Sequence, residues 1–181
     1  MIDKKSLRKQ QIKRLSKNKQ QTAEEGKKLL HNLMQTVEWQ SAKTIATTVS
    51  NLFEVPTEPI IQAAIKADKT VYLPKTMPHR QMAFLPFTSY EDLVISDFGI
   101  PEPVYELQLV NQRPDLVLVP GLAFADDTNY RVGFGGGYYD RFLAEYTGKT
   151  ISLVPTTMYF DRTDWEVEEY DIKIDKLIYA E

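Results

Sequence analysis

Residues 115–119 read DLVLV, an apolar run that stops at Pro120. A strand without a polar face must be covered on both sides, as a central strand of a parallel sheet is. Such a sheet needs helices packed on each face and crossover connections between its strands. The surrounding pattern offers both. Thr44–Val49 is rich in β-branched residues, Thr70–Leu73 reads as a strand ended by Pro74, and Gln81–Leu85 and Thr150–Val154 read as further strands. Lys176–Ala180 suits a last edge strand. Thr57 caps a helix with Pro59 in its first turn and Ile60, Ile61, Ala64 and Ile65 facing inward. Another helix runs from about Gly137 to Tyr146. Two more precede the first strand. Asp3 caps one, which reaches about Lys19 with Leu7, Ile12 and Leu15 as a thin apolar stripe. Thr22-Ala23-Glu24-Glu25 has the form of a capping box opening the other, whose Leu29, Leu30, Leu33 and Val37 share a face. The expectation is one α/β domain over residues 1–181 with a mostly parallel sheet, and residues 1–40 as a helical arm packed on it.

Composition excludes several chemistries. The chain has no cysteine, so a disulfide framework, a thiolate nucleophile and a cysteine-ligated metal are out. Its two histidines, His31 and His79, are far apart, which disfavours a histidine-rich metal site. No apolar run reaches bilayer length, and the charged start MIDKKSLRKQ lacks the apolar core of a secretory signal. A cytoplasmic protein without a membrane partner is expected. The net charge of −3 conceals an asymmetry: residues 1–31 carry ten Lys/Arg against three acids, and residues 161–181 carry eight acids against three bases. A basic start suits phosphate or nucleic acid, or a solvated helix that the acidic end neutralises.

The densest candidate site is Arg131-Val132-Gly133-Phe134-Gly135-Gly136-Gly137-Tyr138-Tyr139-Asp140-Arg141, which holds four of the chain's eight glycines just before a helix. Glycines let backbone N–H groups converge on an anion, and a helix start adds unsatisfied N–H groups. Arginine forks at each end suit phosphate oxygens. The loop reads as a polyphosphate cradle, against the plainer alternative of a flexible turn. It is not a Walker loop, since no Gly-Lys-Ser/Thr closes it, and its spacing is not that of the dinucleotide fingerprint.

Ligands of open parallel sheets sit at the carboxyl ends of the strands, which points to loops 50–57, 74–80, 99–103 and 120–137. In the first, Glu54 could accept paired donors from a heterocycle or be a surface acid. Phe53, Met82, Phe84, Phe124, Phe134, Tyr138 and Tyr139 could wall a flat ring or pack in the core. Glu102 lies in the rigid loop Phe98-Gly99-Ile100-Pro101-Glu102-Pro103, displayed or merely exposed. Lys4 and Arg8 share a helix face, as a phosphate clamp or a solvated face. Asp140, Asp171 and Asp175 are each a magnesium partner or an ordinary first-turn or tail acid.

In order along the chain, KKSLR, SNLFEVPT, YLPK, FGIPEP, VPGLAF and RVGFGGGYYDRFL resemble the 5-formyltetrahydrofolate cyclo-ligase family, also called methenyltetrahydrofolate synthetase. The resemblance spans nearly the whole chain, and the last motif is highly specific. It implies a three-layer α/β domain with a Rossmann-like sheet. It also implies ATP-dependent closure of 5-formyltetrahydrofolate to 5,10-methenyltetrahydrofolate, with ADP and phosphate released. The family's ATP residues fall on Lys4, Lys5, Ser6, Leu7 and Arg8, and on Arg131, Val132, Gly133, Phe134, Gly135, Gly136, Gly137, Tyr138 and Tyr139. Its substrate residues fall on Val49, Glu54, Phe134, Gly135, Gly136, Gly137 and Tyr138, and its Mg²⁺ acids on Asp140 and Asp171. No single catalytic acid or base is expected; positioning and charge neutralisation, chiefly by Arg131, carry the chemistry.

The chain departs from the family's pattern before the glycine loop. The family reads Phe-Asp, two residues, Gly, one residue, Arg, whereas here ADDTNY separates Phe124 from Arg131, and Asn129 is the residue able to take the turn. Some relatives carry lysine where Gly136 stands, which throws more weight on backbone N–H groups and Arg131. Small-molecule substrates, no nucleic-acid partner and a monomer are expected. The rival readings are a nucleic-acid module using the basic arm, and a folate or nucleotide binder without activity. The pI near 5.5 and the absence of a recognition motif weigh against the first.

Overall fold

A computed structural model describes all 181 residues. The helices are α1 (Lys4–Lys17), α2 (Lys19–Met34), α3 (Val37–Ser41), α4 (Glu58–Lys66) and α5 (Tyr138–Leu143). The strands are β1 (Thr44–Ala46), β2 (Thr70–Thr76), β3 (Met82–Pro86), β4 (Val94–Ile95), β5 (Pro101–Glu102), β6 (Leu116–Leu118), β7 (Ala123–Ala125), β8 (Arg131–Val132), β9 (Lys149–Val154), β10 (Tyr159–Phe160) and β11 (Lys176–Tyr179). The central sheet has the order β11-β9-β6-β1-β2-β3 and is parallel except for β3, which runs antiparallel to β2. β6, the DLVLV strand, is central and fully buried, as its composition requires. One face of the sheet packs on α2, α3 and α4 through Leu29, Leu33, Trp39, Ile60, Ile61 and Ala64. The other buries Phe84, Val117, Val119 and Leu143 beneath α5. The architecture is a single α/β domain with a mostly parallel sheet between helices. No helix is long and apolar enough to cross a membrane.

The segment 121–137, expected as one long loop, contains β7 and β8. With β10 they form a small second sheet, ordered β10-β7-β8. Asn129 takes the turn between β7 and β8 in the left-handed region, at φ +60°, and its side chain donates to Ile174 O at 3.0 Å. The turn therefore also ties down the chain ahead of β11.

Several local expectations need correction. α1 ends at Lys17, because Asn18 turns back to the carbonyls of Arg14 and Leu15. α2 then starts at Lys19, so Thr22–Glu25 is no capping box: Thr22 is buried against Thr157, and Glu25 accepts from Thr156 N. Ile12 is exposed and Gln11 takes the inward position between Leu7 and Leu15. Val37, 74% exposed, belongs to α3 instead of the α2 face, and Ile65, 51% exposed, points away from the sheet. Thr57 occupies the cap position of α4, but its hydroxyl accepts from Ser50 N. β1 ends at Ala46, short of Val49, and the last helix ends at Leu143, short of Tyr146. β2 does not stop at Pro74. Phe87 N donates to Val71 O, so alternate residues 72, 74 and 76 turn toward β1, whose pairing has ended at Tyr72. A proline there gives up no ladder bond.

The arm is fixed to the domain by a buried polar anchor. Gln11 Nε2 donates to Leu122 O at 2.6 Å and Thr157 O at 3.1 Å. Gln11→Leu keeps the apolar bulk but strands both carbonyls, so it should lower stability by about 1–3 kcal/mol in urea titration.

Candidate active site

The carboxyl ends of β1, β2 and β6 open onto a cavity of about 520 Å³. All four expected loops reach it, contributing Glu54, Thr76, Ile100 and Pro120 among others. Two further segments close it: the start of α1, with Lys4 and Arg8, and the chain ahead of β11, with Glu168, Tyr170 and Asp171. Asp3 caps α1 by accepting from Ser6 N at 2.9 Å, which fixes the first turn that carries Lys4. Ile2 N donates to Asp164 O at 2.8 Å, drawing the N-terminus onto the acidic tail.

The glycine loop forms one wall. Gly135 and Gly137 have φ of +102° and +73°, which only glycine adopts freely. Arg8 Nε donates to Gly133 O and Arg80 Nη1 to Gly136 O, both at 2.8 Å. Arg80 thereby brings a further guanidinium to the glycine loop, at Gly136. Arg131 lies beneath the loop, with its side chain 3% exposed and Nη2 3.3 Å from Asp140 Oδ1. Burial lowers its pKa, opposed chiefly by Asp140. Asp140 also accepts from Ile172 N at 3.2 Å, which ties α5 to the chain ahead of β11. Lys4 Nζ donates to Glu168 at 2.8 Å and to Asp171. Burial alone would push the Lys4 ammonium down; the two carboxylates outweigh that and raise it.

Across the cavity, Glu54 accepts from Asn51 N at 2.8 Å. Burial pushes its carboxyl above the usual range, only partly offset by that bond. Phe53, Met82, Phe134, Tyr138 and Tyr139 line the space, whereas Phe84 and Phe124 are core residues. Phe53 and Phe134 rings approach to 6.5 Å, linking the Glu54 loop to the glycine loop.

Of the expected site residues, Lys4, Arg8, Val49, Glu54, Arg131, Gly133–Asp140 and Asp171 border this one cavity. Lys5 and Ser6 are exposed on the outer face of α1, while Leu7 and Val132 pack together in an apolar cluster with Ala123 and Trp165. None of these four lines the cavity. Asp175 serves structure, holding Thr150 through its N–H and hydroxyl. Glu102 is not exposed: at 3% exposure it borders the cavity, accepts from Lys75 and Thr76, and fastens the β4–β5 hairpin to β2. Sequence reading missed Glu168 and Tyr170, which lie in a segment without regular structure and hence without periodicity.

A mostly parallel sheet with a cleft at its strand ends, walled by a glycine loop, paired arginines and carboxylates, defines an α/β enzyme with a site for anionic ligands. The 5-formyltetrahydrofolate cyclo-ligase family model matches residues 1–180, and the chain belongs to that family. It is 31% identical over 144 residues to the 5-formyltetrahydrofolate cyclo-ligase of Escherichia coli (strain K12), covering 76% of this chain and 78% of that one. The NMR structure of Aquifex aeolicus 5,10-methenyltetrahydrofolate synthetase superposes with a TM-score of 0.81 at 29% identity, covering 98% of this chain and 89% of that one. The fold is also that of a Mycoplasma pneumoniae structure, with a TM-score of 0.73 at 23% identity over 99% of this chain and all of the other.

The raised Glu54 carboxyl has a stability consequence. An acid whose folded-state pKa exceeds its unfolded value destabilises the fold once pH rises above the unfolded value near 4.3, because ionisation is then costlier in the folded state. Glu54→Gln, which can still accept from Asn51 N, should therefore raise the ligand-free melting temperature at pH 8. The gain should shrink toward zero as pH falls to 4, as checked by thermal melts across that range.

Proposed function

We propose that this protein is a cytoplasmic enzyme that closes 5-formyltetrahydrofolate to 5,10-methenyltetrahydrofolate at the expense of ATP, releasing ADP and phosphate. The observation that carries the reading is the single cavity in which the glycine loop, Arg8 and Arg131 face Glu54 and its aromatic neighbours, in a chain of this family.

A formamide carbon is a poor electrophile and its oxygen a poor leaving group. In the proposed reaction the formyl oxygen attacks the γ-phosphorus of ATP, and the bond to ADP breaks. The amine at position 10 then attacks the activated carbon. The carbon–oxygen bond breaks, and phosphate departs with the electron pair and the proton the amine gives up. Phosphoryl transfer asks the protein for position and charge more than for covalent help. Lys4, Arg8, Arg131 and the loop N–H groups meet the phosphate charge. Glu54 accepts from the folate ring, and Phe134 and Tyr138 flank it. Ring closure is intramolecular, so holding the folate in a reactive conformer supplies much of the rate.

Asp140 and Asp171 suit Mg²⁺, which takes one or two carboxylates and completes its shell with phosphate oxygens and water. Both acids line the cavity, and each now neutralises a cation, Arg131 or Lys4, that a phosphate would engage instead. Held there, the ion would supply charge neutralisation for the phosphates.

The decisive test is the near-ultraviolet absorbance of 5-formyltetrahydrofolate mixed with the protein and Mg²⁺. A methenyl band that needs ATP, disappears with EDTA and returns with excess Mg²⁺ is expected; a folded protein that forms none refutes the assignment. Arg131→Ala should cut kcat/KM for ATP by roughly 10–100-fold, the value of a lost charge-assisted contact, while the folate KM moves by less than about threefold. Unchanged ATP kinetics would remove Arg131 from the nucleotide site.

A further inference from the structure

Three buried polar side-chain atoms have no hydrogen-bond partner in the protein: Arg131 Nε, the Tyr139 hydroxyl and Trp165 Nε1. Buried donors are nearly always paired, since each left unmade costs roughly 1–3 kcal/mol. Trp165 belongs to the apolar cluster around Leu7 and borders no part of the large cavity. The other two belong to neighbouring residues of the cavity wall. The guanidinium carbon of Arg131 lies 5.9 Å from the centre of the Tyr139 ring. Both residues line the same cavity as Glu54, the carboxylate assigned to the folate. A phenol hydroxyl has one hydrogen to donate.

We infer that the Tyr139 hydroxyl is a catalytic hydrogen-bond donor that, together with Arg131 Nε, holds the phosphoryl group as it passes from ATP to the formyl oxygen. This inference rests on the proposed cyclo-ligase reaction. The phosphoryl group is the one part of either substrate that belongs first to the nucleotide and then to the folate, and the two idle donors belong to residues lining the one cavity that would hold both. In the step, the bond from the formyl oxygen to phosphorus forms and the bond from phosphorus to ADP breaks, with its electron pair leaving on ADP. Tyr139 keeps its proton throughout. Charge spreads over the three equatorial oxygens in such a transfer. Donors fixed in advance in a water-excluded site stabilise that charge without reorganising. Because neither donor has an acceptor in the free protein, neither must break a bond to engage the phosphoryl oxygens.

Tyr139→Phe removes the oxygen alone. In the methenyl absorbance assay kcat should fall about 100-fold, the scale of losing one such donor. The KM values for ATP and for 5-formyltetrahydrofolate should each stay within about threefold, because the contact is made in the transition state. The ligand-free variant should melt at or above the wild-type temperature, since a buried donor without a partner has gone. Wild-type kcat overturns the inference, as does a variant that melts well below wild type, which would mean the hydroxyl makes a structural bond. Arg131→Lys keeps the charge but lacks Nε. Combined with Tyr139→Phe it should cost much less than the product of the two single losses, because both donors serve one group; losses that simply multiply overturn the pairing. The wild-type assay is read first, and a silent wild type would refute the cyclo-ligase reading itself, separately from the role of Tyr139.

Discussion

A guanidinium sealed beneath a loop is costly, and the arrangement around Arg131 is what makes it tolerable. β8 pairs with β7 and sets Arg131 opposite Phe124, with its side chain directed under the glycine loop. A Cβ at Gly133 would run into Arg131 Nη1, so the guanidinium can lie this close to the loop because glycine stands there. The first turn of α5 supplies Asp140, and the tail before β11 presses its own N–H onto the same carboxylate. Removing one partner of a buried pair is far more damaging than the pair is stabilising. The positions of β8, the loop, α5 and the tail are therefore coupled through this one charge.

A second group of charges is built from the chain's two ends. Lys4 comes from the basic start and Glu168 and Asp171 from the acidic end; the Ile2–Asp164 and Gln11 bonds hold the two together. The asymmetry that in sequence suggested a nucleic-acid surface brings, at its inner face, charges of both signs to the wall of the cavity. Lys4 and Arg8 turn into the cavity, while Lys5 and Lys9 stay in solvent. In the free protein the cations and acids neutralise one another. In the proposed complex the phosphates take the cations and the metal takes the acids, so the same residues form two alternative sets of pairs.

Much of this was legible in the sequence because it depends on local chemistry. The apolar β6, the switch between periods, the glycine loop and the positive φ at Asn129 each follow from residue types at fixed spacing. The strand-end rule then gathered four distant loops into one place. What was not legible depends on partners remote in sequence. Thr22 looks like a helix cap until Thr157 buries it, Pro74 looks like a strand end until β1 proves too short to need its N–H, and Gln11 looks like a surface residue until it finds two carbonyls. The small sheet of β7, β8 and β10 escaped for the same reason: its strands have two or three residues, too few for any period. Glu168 and Tyr170 carried no signal, since the segment that holds them is shaped by the N-terminus it meets.

The cavity also departs from the rest of the molecule in how well its polar groups are satisfied. Away from it, Gln11 meets two carbonyls and Ser152 meets Val119 O, and Trp165 Nε1 is the one buried polar side-chain atom without a partner. Around the cavity Glu54 is lifted by burial, and Arg131 Nε and the Tyr139 hydroxyl have nothing to donate to. These groups are held in place by a core that does not need them, and they oppose folding by a few kcal/mol in aggregate. A bound folate that brings donors to the carboxylate relieves one of these costs on binding and so stabilises the fold. The two idle donors gain their acceptors in the transition state. The local rules of the sequence fail where the chain meets its substrates, and that failure is what leaves the site ready to act on them.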